Sequence, residues 1–391
     1  MFKKIFFVFL IILSFLSLEF YLHKNQNKNI NTKPPFAVCT HTGEKVSEDG
    51  QLKFAIAPFT IYKNLSRQNT KEFTINSRGF RGGEFLTIPD KRTRIIVVGG
   101  SNAFGSGVAS NDETVESILE RLNPGYEVIN AGVVGFVSGQ ELTYIVTELA
   151  DYHPHIIIAF DGWNDLHLQW YHTSWFPKQK TKDEMGYNST FFSFQIEKKL
   201  IENYNTQVGL FSSFSRFFNA AVDKSLLISW LRKKAERFKQ RLAYRKNSNS
   251  ENTENKRSDS NVYFNAILDS YTNNLKKMSD FCRSQGIKFI VVFQPELGLK
   301  ATKDPQEQKL LANYTFGSSS YAKEFPALYK KFIESSKDFL KNKGIDYIDI
   351  NSKTEFIDSR KTLFIDAVHT NTNGNEIMAK IINDYLQSYH P

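Results

Sequence analysis

The sequence predicts an α/β protein: a three-layer α/β/α arrangement around a five-stranded parallel sheet. Three observations carry that prediction. From Arg94 onward, short β-branched runs alternate with stretches of helical periodicity, which implies right-handed crossovers between parallel strands. The runs are apolar at consecutive positions, as in strands covered by helices on both faces. Turn-forming residues stand at the carboxyl end of nearly every run.

Taken in order, Lys3 and Lys4 precede an almost wholly apolar stretch, Ile5 to Leu18, followed by Glu19, Phe20, Tyr21 and Leu22. That length just spans a bilayer, and the early lysines favour a cytosolic N-terminus with the rest of the chain outside. The residues that follow, His23-Lys24-Asn25-Gln26-Asn27, lack an A-x-A-like cleavage site. Residues 1–23 are therefore expected to be an uncleaved single-pass anchor, and residues 24–50 a polar tether that includes Pro34 and Pro35. Residues 51–93 read as an N-terminal extension of short strands. Its arginines, Arg78 and Arg81, read as surface pairs of little energetic consequence and are left out of the expected site.

Residues 94–391 hold the main domain. Ile95 to Val98 form a strand that Gly99 and Gly100 end abruptly, so Ser101 is presented at the carboxyl edge of the sheet, where open α/β folds bind ligands. Ser110 and Glu113 have capping-box spacing before a helix through Val115 and Leu122. Tyr126 to Ala131 is the second strand, Gly132 to Gly135 a turn, Gln140 to Leu149 a helix, and Ile156 to Phe160 the third strand. The rhythm breaks at about 166–261, an aromatic-rich and then low-complexity insertion that covers the site or meets a partner. It resumes with a helix from Val262 to Ser284, a strand from Lys288 to Phe293, a helix from Tyr321 to Lys341 and a strand from Asp346 to Ile350. Asn373 and Glu376 form a second capping box before the last helix.

The chain has 391 residues and a net charge of +9, but its most basic stretch, Arg232 to Arg257, carries no nucleic-acid motif, so no nucleic-acid partner is expected. That charge reads as solvated surface or as attraction to an anionic membrane or polysaccharide. Cys39 and Cys282 could pair after export, or Cys282 could be an inert core thiol. A phosphate-binding loop fails because Ser106 and Gly107, not Lys and Ser or Thr, follow Gly105. The G-x-S-x-G elbow fails because Ala103 stands at its second glycine. His153 and His155 lack further ligands at metal-binding spacing, and no metal or organic cofactor is expected.

Four separated pieces fall at equivalent turns: Gly-Gly-Ser101, Asn130-Ala-Gly-Val-Val-Gly135, Gly162-Trp-Asn164-Asp165 and Asp366-Ala-Val-His369. In residue type and order they resemble the four blocks of the SGNH (GDSL-like) hydrolase superfamily, whose fold is flavodoxin-like. The resemblance implies Ser101 as nucleophile, His369 as its base and Asp366 as the group that orients the imidazole. It also implies Ser101 N–H, Gly135 N–H and the Asn164 amide as oxyanion donors, and Asp165 supports Asn164. One departure stands out: the namesake block is Gly-Asp-Ser, and Gly100 occupies the aspartate position.

The expected function is that of an extracytoplasmic serine esterase. It removes small acyl groups, acetyl foremost, from an ester substrate such as an envelope polysaccharide, through an acyl-Ser101 intermediate. An O-acyltransferase using the same acyl-enzyme and a catalytically silent glycan-binding or assembly protein are the alternatives. Residue types leave substrate and oligomeric state open.

Overall fold

The computed structural model describes residues 52–175, 253–313 and 321–388. Apart from the first turns of one helix, these belong to a compact unit made of Phe36–Phe194 and Asn261–Pro391. The expected anchor, tether and most of the insertion lie outside the described residues, as does nearly all of a second unit, Met1–Pro35 with Gln195–Ser260. Among the described residues no helix is long and apolar enough to cross a membrane.

Two small antiparallel pairs come first, β1 (Phe54–Ala57) with β2 (Ile61–Asn64) and β3 (Gln68–Asn69) with β4 (Thr74–Ile75). Next come β5 (Thr93–Gly99), α1 (Ser101–Phe104), α2 (Val115–Leu122), β6 (Tyr126–Gly132), α3 (Ser138–Thr147), β7 (Ile156–Asp161) and α4 (Trp163–Trp175). After the undescribed stretch come α5 (Thr253–Ser284), β8 (Lys288–Phe293), α6 (Pro305–Asn313), α7 (Tyr321–Lys343), β9 (Asp346–Asp349), α8 (Thr354–Ile357) and α9 (Thr372–Ser388). The segment expected as an insertion is thus helical at both of its described ends.

Strands β5 to β9 form one parallel sheet in the order β6-β5-β7-β8-β9. Gly99 pairs with Gly132 on one side and Phe160 on the other, so three strands end level at the same edge. The order reverses between β5 and β7, and the gap this leaves is where such sheets take ligands. Alternate residues of each strand enter two cores. Ile96, Val98, Ile157 and Ala159 pack with α3, α5 and α7, while Ile95, Val97, Ile158 and Phe160 pack with α2 and α9. This two-sided burial is why the strands read as unbroken apolar runs.

The extension is part of the same body. Its Leu52, Phe54, Tyr62, Phe73 and Phe80 share a core with Ile96 and Val98, and Arg81 bridges Asn130 on the outer side of the edge strand β6. Cys282 is buried and free, and burial pushes its thiol up to about 12; Cys39 lies outside the described residues.

Both expected capping boxes are displaced. Asn111–Glu113 is a 3-10 turn, so α2 starts later and Thr114 caps it by accepting from Ser117 N–H, while Ser110 makes no capping bond. At α9, Asn371 accepts from Gly374 N–H, and Asn373 instead donates to Thr362 O.

Arg94 anchors the amino end of β5. Fully buried, it donates through Nε to Glu127 at 2.6 Å and through its terminal nitrogens to the carbonyls of Leu86, Thr87 and Tyr152. Removing one member of such a pair strands a buried charge. Arg94→Met is expected to lower stability by about 3–5 kcal/mol, read from the urea unfolding midpoint.

Candidate active site

Ser101 opens α1, two residues after the last residue of β5, and is buried, with 8% of its surface exposed. Its Oγ is 2.8 Å from His369 Nε2, and His369 Nδ1 is 2.6 Å from Asp366 Oδ2. A carboxylate only accepts, so Nδ1 carries the proton and Nε2 is left as the acceptor facing the serine hydroxyl. The D-x-x-H spacing has a local cause. Asp366 Oδ1 accepts from the backbone N–H groups of Val368 and His369, folding the loop so that Oδ2 meets the ring three residues on. The loop is closed by Ile365 N–H to His369 O and held from outside by Asn102 Nδ2 to Val368 O and Leu297 N–H to Ala367 O. Burial is the largest single influence on Asp366 and pushes its carboxyl up. The His369 hydrogen bond and charge, with the two backbone N–H groups, outweigh it and hold the group below the usual carboxylate range.

The other two blocks meet beside the serine. Asn164, on the first turn of α4, donates through Nδ2 to Phe136 O at 2.8 Å. A Cβ built on Gly100 would lie 2.3 Å from that same Nδ2 and 3.3 Å from Phe136 O. The position next to the nucleophile is therefore filled by the asparagine amide, which accounts for glycine where the namesake aspartate would stand. Of the two glycines in the second block, Gly132 has its N–H engaged by Asn130 Oδ1 at 3.0 Å. The Gly135 N–H has no hydrogen-bond partner among the described residues, nor does that of Ser101, the first residue of its helix. Gly135 sits at φ +81° in a turn closed by Phe136 N–H to Val133 O.

Asp165 does not touch Asn164 through its carboxylate. It accepts from Ser138 N–H and, at 2.5 Å, from Ser138 Oγ, to which Asn274 Nδ2 also donates. Asn164 and Asp165 thus strap the loop ending at Ser138 at two points. Behind them lie Asp161 and Glu141. Tyr271 donates to Asp161 Oδ1 at 2.6 Å, while Glu141 Oε1, Glu141 Oε2 and Asp161 Oδ2 have no donor facing them. Glu141 and Asp161 face each other, so a proton on Glu141 supplies the missing hydrogen bond. Burial first, then the Asp161 charge, pushes Asp165 up to about 8; burial and the neighbouring carboxylates push Glu141 well above its ordinary value.

Sequence reasoning missed Arg81. It is buried, not a surface pair: its guanidinium donates to the carbonyls of Phe104, Gly105, Glu72 and Ser110 and to Asn111 Oδ1. Phe104 and Gly105 end α1, the helix that Ser101 opens, so Arg81 satisfies its last carbonyls. Burial lowers the guanidinium to about 10, partly offset by Glu116, Glu72 and Glu113. Nothing local distinguished it from Arg78; its acceptors come from separate segments.

Two outcomes follow. Gly100→Asp, which restores the namesake triplet, is expected to slow any reaction that draws on the Asn164 amide by about 100-fold or more, read as turnover at saturating substrate, because its Cβ displaces that amide. The raised carboxyls set the pH dependence of stability. A folded-state pKa above the unfolded one means the native protein binds more protons, so stability is lost as pH rises, here between about 4 and 8 for Asp165. Thermal midpoints should fall from pH 5 to pH 8, and Glu141→Gln should flatten the slope; a level wild-type profile would mean that the cluster is ionised throughout.

A family model described as GDSL-like lipase/acylhydrolase matches residues 95–382, well over half of the chain. No curated protein matches significantly. Among solved structures, the chain is similar to a member of the lipolytic protein G-D-S-L family from Veillonella parvula, at 11% identity over 76% of this chain and 99% of that one, with a TM-score of 0.40. It is similar to a GDSL-like lipase from Bacteroides thetaiotaomicron at 12% identity over 76% and 88% of the two chains, TM-score 0.34. A lipase/acylhydrolase from Enterococcus faecalis matches at 12% identity over 75% and 95%, TM-score 0.37. With the matched residues running from β5 to α9, the chain belongs to the GDSL-like lipase/acylhydrolase family.

Proposed function

We propose that the protein is a serine ester hydrolase working through an acyl-Ser101 intermediate. The observation that carries this reading is the continuous chain of short contacts from Ser101 Oγ through the His369 ring to Asp366. His369 Nε2 takes the hydroxyl proton as Ser101 attacks the ester carbonyl, and Asp366 stabilises the imidazolium that forms. The negative oxygen of the tetrahedral intermediate is received by Ser101 N–H, Gly135 N–H and Asn164 Nδ2, each contributing about 3 kcal/mol. His369 then returns the proton to the leaving alcohol, and water, deprotonated in turn by His369, releases the acid. Esters suit this site better than amides because an alkoxide leaves more readily.

The finer reading is a small, acetyl-sized acyl group on an envelope polysaccharide, with the enzyme tethered outside the cytoplasm by residues 1–23. The lysine-led apolar stretch and the net charge of +9 support that setting. A water-accepting enzyme releases free acid whether or not a glycan is present, whereas a transferase moves the acyl group to the glycan.

The test is labelling by a fluorophosphonate probe, with mass spectrometry of the modified peptide, alongside acetyl-ester hydrolysis. Ser101 is expected to carry the label. Ser101→Ala and His369→Ala are each expected to slow turnover by about 10^6-fold, and Asp366→Asn by about 10^4-fold. Equal rates in wild type and the first two variants would end the reading.

A further inference from the structure

The turn that carries the Gly135 N–H is of the kind that flips. Val133 to Phe136 is closed by its 3.0 Å hydrogen bond, and Gly135 stands third in it at φ +81°, the value of a type II turn. Type I and type II turns differ by rotation of the central peptide, here the one joining Val134 to Gly135. A glycine at the third position accepts either sign of φ, so the flip meets little steric resistance. The flip would reverse the direction of the Gly135 N–H. Something must hold it.

The other end of that peptide is held. Tyr62, at the second position of β2 in the extension, donates its hydroxyl to Val134 O at 3.0 Å. The peptide bond is trans, so the Val134 carbonyl and the Gly135 N–H point in opposite directions. Fixing the carbonyl toward Tyr62 aims the N–H away from it. Tyr62 is itself immobile: it is 1% exposed, and its ring meets Phe54 and Phe136 edge-on at 5.3 and 5.4 Å. Asn64, two residues on and on the same face of β2, donates to Gly132 O at 3.0 Å and secures the start of the loop. The loop carbonyls at 132, 134 and 136 are thus taken by Asn64, Tyr62 and Asn164 respectively. Donation to the Val134 carbonyl also polarises the peptide and strengthens its N–H as a donor.

We infer that Tyr62 is a positioning residue of the reaction, its hydroxyl locking the Val134–Gly135 peptide in the orientation that offers the Gly135 N–H to the oxyanion. The inference rests on Gly135 serving as an oxyanion donor. It also makes the extension a working part of the site.

The experiment compares wild type with Tyr62→Phe, which removes the hydroxyl and keeps the ring, using a p-nitrophenyl acetate assay and inhibition by methylboronic acid. Rates are expressed per site titrated to completion with the fluorophosphonate, so that unfolded protein does not enter the comparison. The expected result is turnover slowed at least tenfold, KM unchanged within twofold, and boronate inhibition weakened by a factor similar to the loss of turnover, since the tetrahedral adduct needs the same donor. Unchanged turnover per titrated site would overturn the inference, as would slowed turnover with boronate affinity intact. Failure of the wild type to label at Ser101 would instead overturn the hydrolase reading itself.

Discussion

The hydrogen bond from Asn164 Nδ2 to Phe136 O, lodged over Gly100, joins three stretches that are distant in sequence. Strand β5 delivers Gly100, the loop after β6 delivers Phe136, and the first turn of α4 delivers Asn164. Because the strands end level, the three arrive at one edge with no long loop between them. In this arrangement the amide takes the space that a Cβ at position 100 would enter. Glycine at position 100 leaves that space to the amide, and Ser101 keeps its setting through other bonds. Asn102, directly after the nucleophile, reaches across to Val368 O and ties the serine helix to the histidine loop.

Around this junction the chain satisfies main-chain oxygens with buried side chains. Arg81 takes the last carbonyls of α1, Tyr62 and Asn64 take those of the loop after β6, and Arg94 takes three carbonyls at the far end of β5. An unpaired buried carbonyl costs on the order of 1–3 kcal/mol, so these donors are as much a condition of the fold as the apolar layers are. They come largely from the segment between Leu52 and Arg94. The catalytic domain is thus completed from outside the stretch that carries its four blocks.

This explains what the sequence disclosed and what it withheld. The β-branched runs announced a parallel sheet because two-sided burial leaves a purely local trace, and the four blocks pointed to Ser101, Asn164, Asp366 and His369, which the fold brings to one edge of the sheet. The start of α2 was misplaced because the 3-10 turn at Asn111–Glu113 moves the cap by one turn, an energetic detail that capping spacing does not encode. Short, mostly polar α6 has no apolar stripe to declare it. Arg81 was hidden for a different reason: its partners are carbonyl oxygens, which every residue owns and no residue type identifies. The same holds for Phe136 and Val134, whose side chains say nothing of the acceptors they place.

Under the proposed mechanism, the carboxyl cluster behind Asn164 bears on catalysis through its charge state. The tetrahedral intermediate of that mechanism would put a full negative charge near the Asn164 amide, and an ionised Asp165, the next residue, would repel it across a region of low dielectric. Burial and the neighbouring carboxylates work against that ionisation, lifting Asp165 to about 8 and Glu141 well above its ordinary value, while burial alone raises Asp161 against the hydrogen bonds it receives from Glu141 and Tyr271. These shifts oppose full ionisation of the cluster, so the proposed oxyanion pocket is backed by hydrogen-bonding groups of reduced charge. The same carboxyls can then serve as structural straps, through Ser138 and Tyr271, without opposing the charge that the reaction creates.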